Sequence, residues 1–576
     1  RVEACVAGLI GVEKCKAYPS GNYKPYGLLQ EYGDDGSIYF GLMTGSFQKN
    51  KSGGTLRKNV GPITDEINVS TDGTFKSAPA AGNIISNMNA LRVSGYDHDP
   101  GYYNSADNCS WGINTFNNGS CTNWGNPQSE IFLESVRYFA GKTTPGFNAN
   151  DSSYINNLIS ASSWVDPLNA GNYCAPLKVI QFNASVTSYD GDELGGASGL
   201  PSLGSVSTWT NAVGAASGEG IAGNDFFVGT GSIVSNGLCT AKTVNNLADA
   251  EGICPEAPRL GGGYDIAGLA YYAHKESIRT DLSDADGNTA DIKIDTYGVT
   301  LSPAVPKIEV PVPGQTDPVT ILPACRNESI SGNCAIVDFK VVQKHAETSS
   351  GSGIYTGKFY INWEDSEQGG DYDQDMAGLL SYSLNTNVTP NTITVTTSVF
   401  ADSTPNKMGF GYIIAGTTQD GFHTHSGINY FTAYTDPTGV LTCANAAINC
   451  ETGQPATSVA YNLGTSSGSL LQDPLFYAAK WGGYKEEAEA SKRPPSTAAP
   501  NDIPDQAYEW DTDGNGQPDN YFFARNPGQL SEQLATVFET VATVSSSASV
   551  VANSVSLQTT TRIYQARFDS NDWSGK

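Results

Sequence analysis

At 576 residues the chain is longer than one ordinary core can organise, so roughly two to four domains are expected. Acidic residues outnumber basic ones 59 to 32, a net charge of −27; a phosphate backbone is repelled by such a surface, which argues against nucleic acid as a partner, while hard cations are attracted. Hydrophobic residues make up 39% and charged ones only 16%, a globular composition with a neutral Asn/Ser/Thr/Gly surface, and no apolar run reaches the roughly 18 residues of a membrane helix. The start, Arg1-Val2-Glu3-Ala4-Cys5, lacks the charged-then-apolar plan of a signal peptide and reads as a mature or trimmed product.

In chain order, "SIYFGLMT" (37–44) reads as a buried strand. Asn126-Pro127 then places an N-cap residue before a Pro in the first helical position. It leads into "QSEIFLESVRYFAG", where Phe132, Val136, Phe139 and Ala140 recur at helical spacing and Gly141 can end the helix. "LKVIQF" (177–182) is a second buried strand. A helix follows at "YDIAGLAYYAHK" through Ile266, Leu269, Ala270 and Ala273, and "IKIDTYGV" (292–299) is a third strand. Strands alternating with helices imply an α/β architecture with a largely parallel sheet covered on both faces.

From 309 to 445 the helical period disappears, and alternation such as "TITVTTSVF" predicts an inserted antiparallel β domain. Residues 446–545 return to helices, at Asp473-Pro474 into "LFYAAKWGG" and at Asn526-Pro527 into "GQLSEQLATVFETV". In the latter, Leu530, Leu534, Val537, Phe538 and Val541 make one apolar face. Residues 546–576 turn β-rich again and stop in mid-pattern at Lys576, as the start of a further β domain. The expected organisation is therefore 1–308 and 446–545 as an α/β body, 309–445 inserted into it, and a β segment after it.

Ten of the eleven cysteines fall into close neighbours: Cys5/Cys15, Cys109/Cys121, Cys239/Cys254, Cys325/Cys334 and Cys443/Cys450. Short spacings around Gly, Asn and Ser suit disulfides that close surface loops, each stabilising by roughly 2–3 kcal/mol in the chain-entropy model. Zinc is the competing reading, but no C-x-x-C and no Cys/His cluster favours it. Disulfides place the protein outside the cytoplasm. Cys174 is left over.

The chemistry-bearing stretch is "DTDGNGQPD". Asp511, Asp513 and Asn515 stand at positions one, three and five of an EF-hand-like loop, Gly516 at six, the Gln517 main-chain carbonyl at seven and Asp519 at nine. Position twelve is Phe522, so the bidentate Glu of an EF-hand is missing and a shortened Ca²⁺ loop is the expectation. The alternative is a solvated Asp/Gly turn. A calcium ion there is structural, pinning the loop before "YFFARNPGQ" and with it the last helix.

A second run, "EDSEQGGDYDQD", holds Glu364, Asp365, Glu367, Asp371, Asp373 and Asp375. Asp371, Asp373 and Asp375 are a candidate second metal cluster, with a hydrated loop as the equal alternative. "DLSDADGNTAD" (281–291) reads as a hydrated turn, and "SYDGDEL" (188–194) as either. His423 and His425 face one side of a strand with no third ligand nearby, as a core or surface pair. His274 is an ordinary helix-end residue. No H-E-x-x-H zinc motif and no G-x-x-x-x-G-K-[ST] phosphate loop is present, and no catalytic residue is assigned.

Several stretches resemble the PilY family of type IV pilus tip-associated proteins: "KPYGLLQEYG" (24–33), "FGLMTGSFQKNKSGGTLRKN" (40–59), "SEIFLESVRYFAG" (129–141), "GLAYYAHKESIRTDL" (268–282), "GGDYDQDMAGLLSY" (369–382), "MGFGYIIAGTTQDGFHTHSG" (408–427) and "YQARFDSNDWSG" (564–575). The resemblance implies a von Willebrand factor A-like sandwich with a β insertion, followed by a β-propeller whose first strand is "RIYQARFDSNDWSG". It implies roles in pilus assembly and in adhesion, with minor pilins at the pilus tip and a host-cell or abiotic surface as partners, and an extracellular, outer-membrane-associated location. The loop D-x-S-x-S that opens the metal site of such domains is not found. Asn126 occupies the Thr position of that site and Asn183 its Asp position, both poorer ligands for a hard cation, so this site is expected not to grip a metal. A secreted calcium-dependent hydrolase and a non-adhesive structural surface component are the rival readings.

Overall fold

The computed structural model describes residues 3–77, 83–91, 96–97, 102–103, 117–122, 125–194, 199–254, 260–284, 286–301, 306–366, 374–434, 442–443, 450–486, 501–524, 527–542, 547–548 and 566–567. The architecture is mixed α/β, with many short sheets and few helices. The chain divides into two units, Arg1–Leu42 with Lys58–Ile85 and Ala524–Lys576, and Met43–Arg57 with Ser86–Phe523.

The first unit is built on Phe40, Ile63, Ile67 and Ile84. The Pro527–Ala542 helix contributes Phe538, whose ring lies 5.7 Å from those of both Tyr32 and Phe40. The apolar face read in the sequence is thus used, and Val537 is fully buried. Lys58 is buried here with two partners, Asp65 at 2.6 Å and Glu66 at 3.0 Å. Glu66 in turn accepts the Ile84 and Ile85 amides, so the buried Lys58–Glu66 pair is partnered, with the partly exposed Asp65 as the second anion, as burial requires.

In the second unit, Leu177–Asn183 and Ile294–Leu301 pair in parallel, Leu177 opposite Ile294 and Asn183 opposite Thr300. Tyr521–Ala524 flanks Ile294–Leu301 on its other edge. The helices Gln128–Phe139, Asp265–Lys275 and Pro474–Trp481 stand where the sequence predicts them; Val206–Ala215 is an additional one. Side chains such as Phe132, Leu133, Leu177, Ile266, Leu269, Ile294 and Leu475 form one core between sheet and helices. Gly268 lets two helices touch: a Cβ there would meet the Thr210 amide nitrogen at 2.4 Å.

Two expectations are corrected. The strand Tyr39–Thr44 does not enter the parallel sheet but pairs with Thr55–Pro62, since the short 45–54 connection leaves no room for the crossover that parallel strands need. The α/β body also contains an antiparallel sheet, with Asn224–Thr230 between Ser235–Val244 and Glu251–Ile253.

The β region is antiparallel throughout its described pairs. Ile308–Val310, Val319–Asn327, Met408–Ala415 and Gly421–Ile428 form one sheet, and Ala335–Glu347, Ile354–Glu364, Met376–Asn385, Thr392–Asp402 and Thr457–Asn462 the other. A shared core of Ile321, Phe359, Ile361, Trp363, Leu380, Phe410 and Tyr412 lies between them. Beyond the last helix, Ser547–Ala548 pairs with Ala566–Arg567; the rest of the expected terminal β segment lies outside the described residues.

Candidate functional site

The 511–519 loop follows the Ala507–Trp510 helix and leads into Tyr521–Ala524. Asp511 is its anchor, buried where the rest is mostly exposed. One Asp511 oxygen accepts the Asn515 amide and the other the Gly516 amide, both at 2.9 Å. Asp513 accepts the Asn515 amide and side chain at 3.1 and 2.8 Å. Asn515 Oδ1 accepts the Gln517 amide, and Asp519 accepts the Thr512 amide and hydroxyl. Gly514 and Gly516 take φ of +71° and +79°, which only glycine adopts cheaply. The backbone therefore curls, with oxygen-bearing side chains at every second position folded onto the loop's own amides. The donor chemistry and the curl fit a hard cation, and Asp511, Asp513, Asn515, the Gln517 carbonyl and Asp519 would hold it. In this structure the three carboxylates are spent on backbone amides and are not drawn within a single 4.8 Å set.

At the junction of the Gln128–Phe139 helix with the parallel strands, the two positions singled out by resemblance meet. Asn126 Nδ2 donates to Asn183 Oδ1 at 2.8 Å, and to Ser185 and Val186 oxygens. The expected role of Asn126 as helix N-cap is not observed: Pro127 occupies that place, and the Asn126 Oδ1 that a cap would use accepts the Gln128 side-chain amide at 2.5 Å.

Sequence reasoning did not find what lies beneath. Asp190 accepts the Ser129 amide and hydroxyl at 2.6 and 3.0 Å, and Glu130 accepts the Gly191 and Glu193 amides. Burial pushes Asp190 up to about 7, and burial together with the Asp190 charge pushes Glu130 well above the ordinary carboxylate range. Burial thus favours the neutral form of both acids. Asp190 belongs to the ambiguous 188–194 run, and its role here is to seal the loop onto the helix.

The second acidic run is described only in part. Asp371 and Asp373 lie outside the described residues, as does Glu367. Asp375 meets Glu364 and Asp365, their oxygens within 4.8 Å of one another. In 281–291, Asp284 accepts the Asp286 and Asn288 amides, an Asx turn. His423 and His425 are both fully buried, so they are the core pair of the two options. His274 is more than a helix end: its Nδ1 lies 3.2 Å from Asp295 and its ring 4.6 Å from that of Tyr484. Gly464-Thr465-Ser466-Ser467-Gly468 has the spacing of a nucleophile elbow. It lies in an exposed irregular segment where Ser466 Oγ donates to the Gly468 carbonyl, with no strand-to-helix turn around it.

Disulfides join Cys5–Cys15, Cys239–Cys254, Cys325–Cys334 and Cys443–Cys450, with Cα separations of 5.3–5.8 Å. Cys121 is also disulfide-bonded; Cys109 lies outside the described residues. Cys174 is an exposed free thiol. Among the described residues, no helix is long and apolar enough to cross a membrane.

Residues 40–273 match the family described as PilY1 homolog, second domain, and residues 319–451 the family described as PilY1 homolog, beta-sandwich. The whole chain aligns, at 29% identity over 649 positions, with the type IV pilus biogenesis factor PilY1 homolog of Xylella fastidiosa (strain Temecula1 / ATCC 700964). The chain belongs to the PilY1 family. It spans 41% of that relative's length. No solved structure matches it significantly. The PilY1 beta-sandwich match covers most of the two antiparallel sheets, including Glu364, Asp365 and Asp375, while the second-domain match covers the Asn126 and Asp190 junction.

Proposed function

We propose that the chain acts in type IV pilus biogenesis and in surface or host-cell adhesion, as a disulfide-stapled, calcium-stiffened scaffold at the pilus tip or outer cell surface. The observation that carries this reading is the likeness of the entire chain to a protein named a type IV pilus biogenesis factor. The disulfides support an exported location, and the net charge of −27 with the curled 511–519 loop supports calcium as the stiffening ion. The parallel strands 177–183 and 294–301, with helices packed on them and a β-sandwich inserted before the closing helices, support the von Willebrand factor A-like reading of the α/β body. Minor pilins and a surface ligand are the partners in this reading, and the chain binds rather than catalyses.

The test is genetic. Deleting the gene is expected to reduce pilin sheared from the cell surface and to abolish twitching, with both restored by the wild-type gene. Complementation with Asp511→Ala/Asp513→Ala is expected to restore surface pilin only in part. Undiminished pili and motility in the deletion strain would discard the reading.

A further inference from the structure

We propose that Glu364, Asp365 and Asp375, with the Asn362 carbonyl oxygen, form a calcium site at one end of the β-sandwich, distinct from the 511–519 loop. The site arises from strand pairing rather than from a linear motif. Ile354–Glu364 runs antiparallel to Met376–Asn385, with Asn362 opposite Ala377 and Trp363 opposite Met376. The same register sets Glu364 against Asp375. Side chains two apart on a strand share a face, so Asn362, Glu364 and Asp375 stand together on the face opposite the Ile361 and Trp363 core. Asp365, one residue past the strand, closes the group.

The oxygen atoms of the three carboxylates lie within 4.8 Å of one another. Calcium–oxygen distances of about 2.3–2.6 Å place ligands of one ion up to about 5 Å apart, whereas magnesium at about 2.0–2.1 Å draws them closer. No nitrogen or sulfur ligand is in the set, which disfavours zinc. Asn362 is the independent sign of a missing ligand. It is 1% exposed, and its Oδ1 is buried with no hydrogen-bond partner. Its Nδ2 turns back along the strand to the Tyr360 hydroxyl at 3.1 Å, so Oδ1, at the other end of the amide, is the atom left without a donor on the face that Asn362 shares with Glu364 and Asp375. A buried carbonyl without a donor is costly, and a hard cation resolves it.

Hydrogen bonds among the described residues help to hold the carboxylates in place. The Asp365 amide donates to Asp375 at 2.8 Å, the Ser366 hydroxyl to Glu364 at 3.1 Å, and Asn406 Nδ2 to Asp365 at 2.7 Å. Thr404 Oγ1 also donates to Asp365. Asp365 is half-buried, so the outer side of the ion is left to water, completing the six to eight oxygens that calcium takes. Bound there, the ion would tie the ends of two strands to the Thr404–Asn406 turn.

The experiment is calcium titration by calorimetry on the full chain carrying Asp511→Asn/Asp513→Asn, which silences the other loop. This protein is expected to keep one calcium site of millimolar or better affinity, as in other extracellular modules, with magnesium binding it more weakly. Adding Glu364→Gln is expected to weaken calcium about 100-fold through the lost charge. Should that variant fail to fold by circular dichroism, Asp365→Asn on the half-exposed side makes the same test. A loop-silenced protein that binds no calcium at about 5 mM, or a folded Glu364 or Asp365 variant that binds as its parent does, overturns the site. The outcome is independent of pilus function.

Discussion

His425 shows how far one residue's chemistry depends on partners distant in sequence. Its Nε2 meets the Tyr412 hydroxyl at 2.9 Å and its Nδ1 the Thr397 hydroxyl at 3.2 Å, and Tyr412 is bonded in turn to Tyr461 at 2.6 Å. Burial, and secondarily the neighbouring His423, pushes its pKa from 6.5 down to about 3. The unfolded chain gains a proton on this imidazole as pH falls through about 6.5, whereas the folded chain refuses it until about 3. Stability from the neutral ring is therefore whole above about 6.5 and falls by about 1.4 kcal/mol per pH unit below it. Asp190, raised to about 7 by burial, acts with the opposite sign, so the difference between two proteins is the clean measure. His425→Gln is expected to show a shallower loss of stability than the wild type in urea unfolding between pH 6.5 and 4.5, by about that slope. Equal slopes would mean that the folded protein accepts the proton. The alternation of His423 and His425 placed both on one face from sequence alone. Thr397, Tyr412 and Tyr461 have no local pattern linking them, and neither do Glu130 and Asp190, which meet only because a loop folds back on a helix.

Helix Pro474–Trp481 illustrates what is local enough to be read directly. Asp473 accepts the Leu475 amide at 2.8 Å with Pro474 in the first position, the arrangement that the Asp-Pro pair predicts. Asp473→Ala is expected to lower stability by about 1 kcal/mol or more through the orphaned amide, while Asp473→Asn keeps the cap and most of the stability; denaturant midpoints distinguish the two. The same signature at Asn126-Pro127 predicted the helix but not the job of its Asn, because its Oδ1 takes the Gln128 side-chain amide while its Nδ2 donates across the loop. Strands 177–183 and 294–301 were legible as apolar runs; 294–301 is buried almost throughout, while 177–183 alternates, with Phe182 on the exposed side. The antiparallel 224–253 sheet and the pairing of 39–44 with 55–62 were not, since pairing depends on connection length and on neighbours rather than on the strand's own residues.

At the level of the whole chain, length foretold several bodies but not their make-up, because the first unit gathers Arg1–Leu42, Lys58–Ile85 and Ala524–Lys576 from opposite ends of the sequence. The two units carry different fastenings. The 511–519 loop and the Glu364 cluster both belong to the unit containing Ser86–Phe523, while Cys5–Cys15 is in the other. Thermal unfolding is therefore expected in more than one step, so that a single Tm is not defined, and calcium should act on one step alone. An ion held at a Kd of about 0.1 mM and supplied at about 1 mM stabilises by about 1.4 kcal/mol, which shifts a unit of this size by about 1–2 °C. Sodium chloride at matched ionic strength screens the −27 net charge without filling a site, and should move both steps slightly and together. The expected calorimetric result is one transition raised by calcium and lowered by chelator, a smaller response in Asp513→Ala, and a reductant effect on both transitions because each unit contains a disulfide. If sodium chloride reproduced the calcium shift, the ion would be acting as a counter-ion cloud, and neither acidic group would be holding the fold.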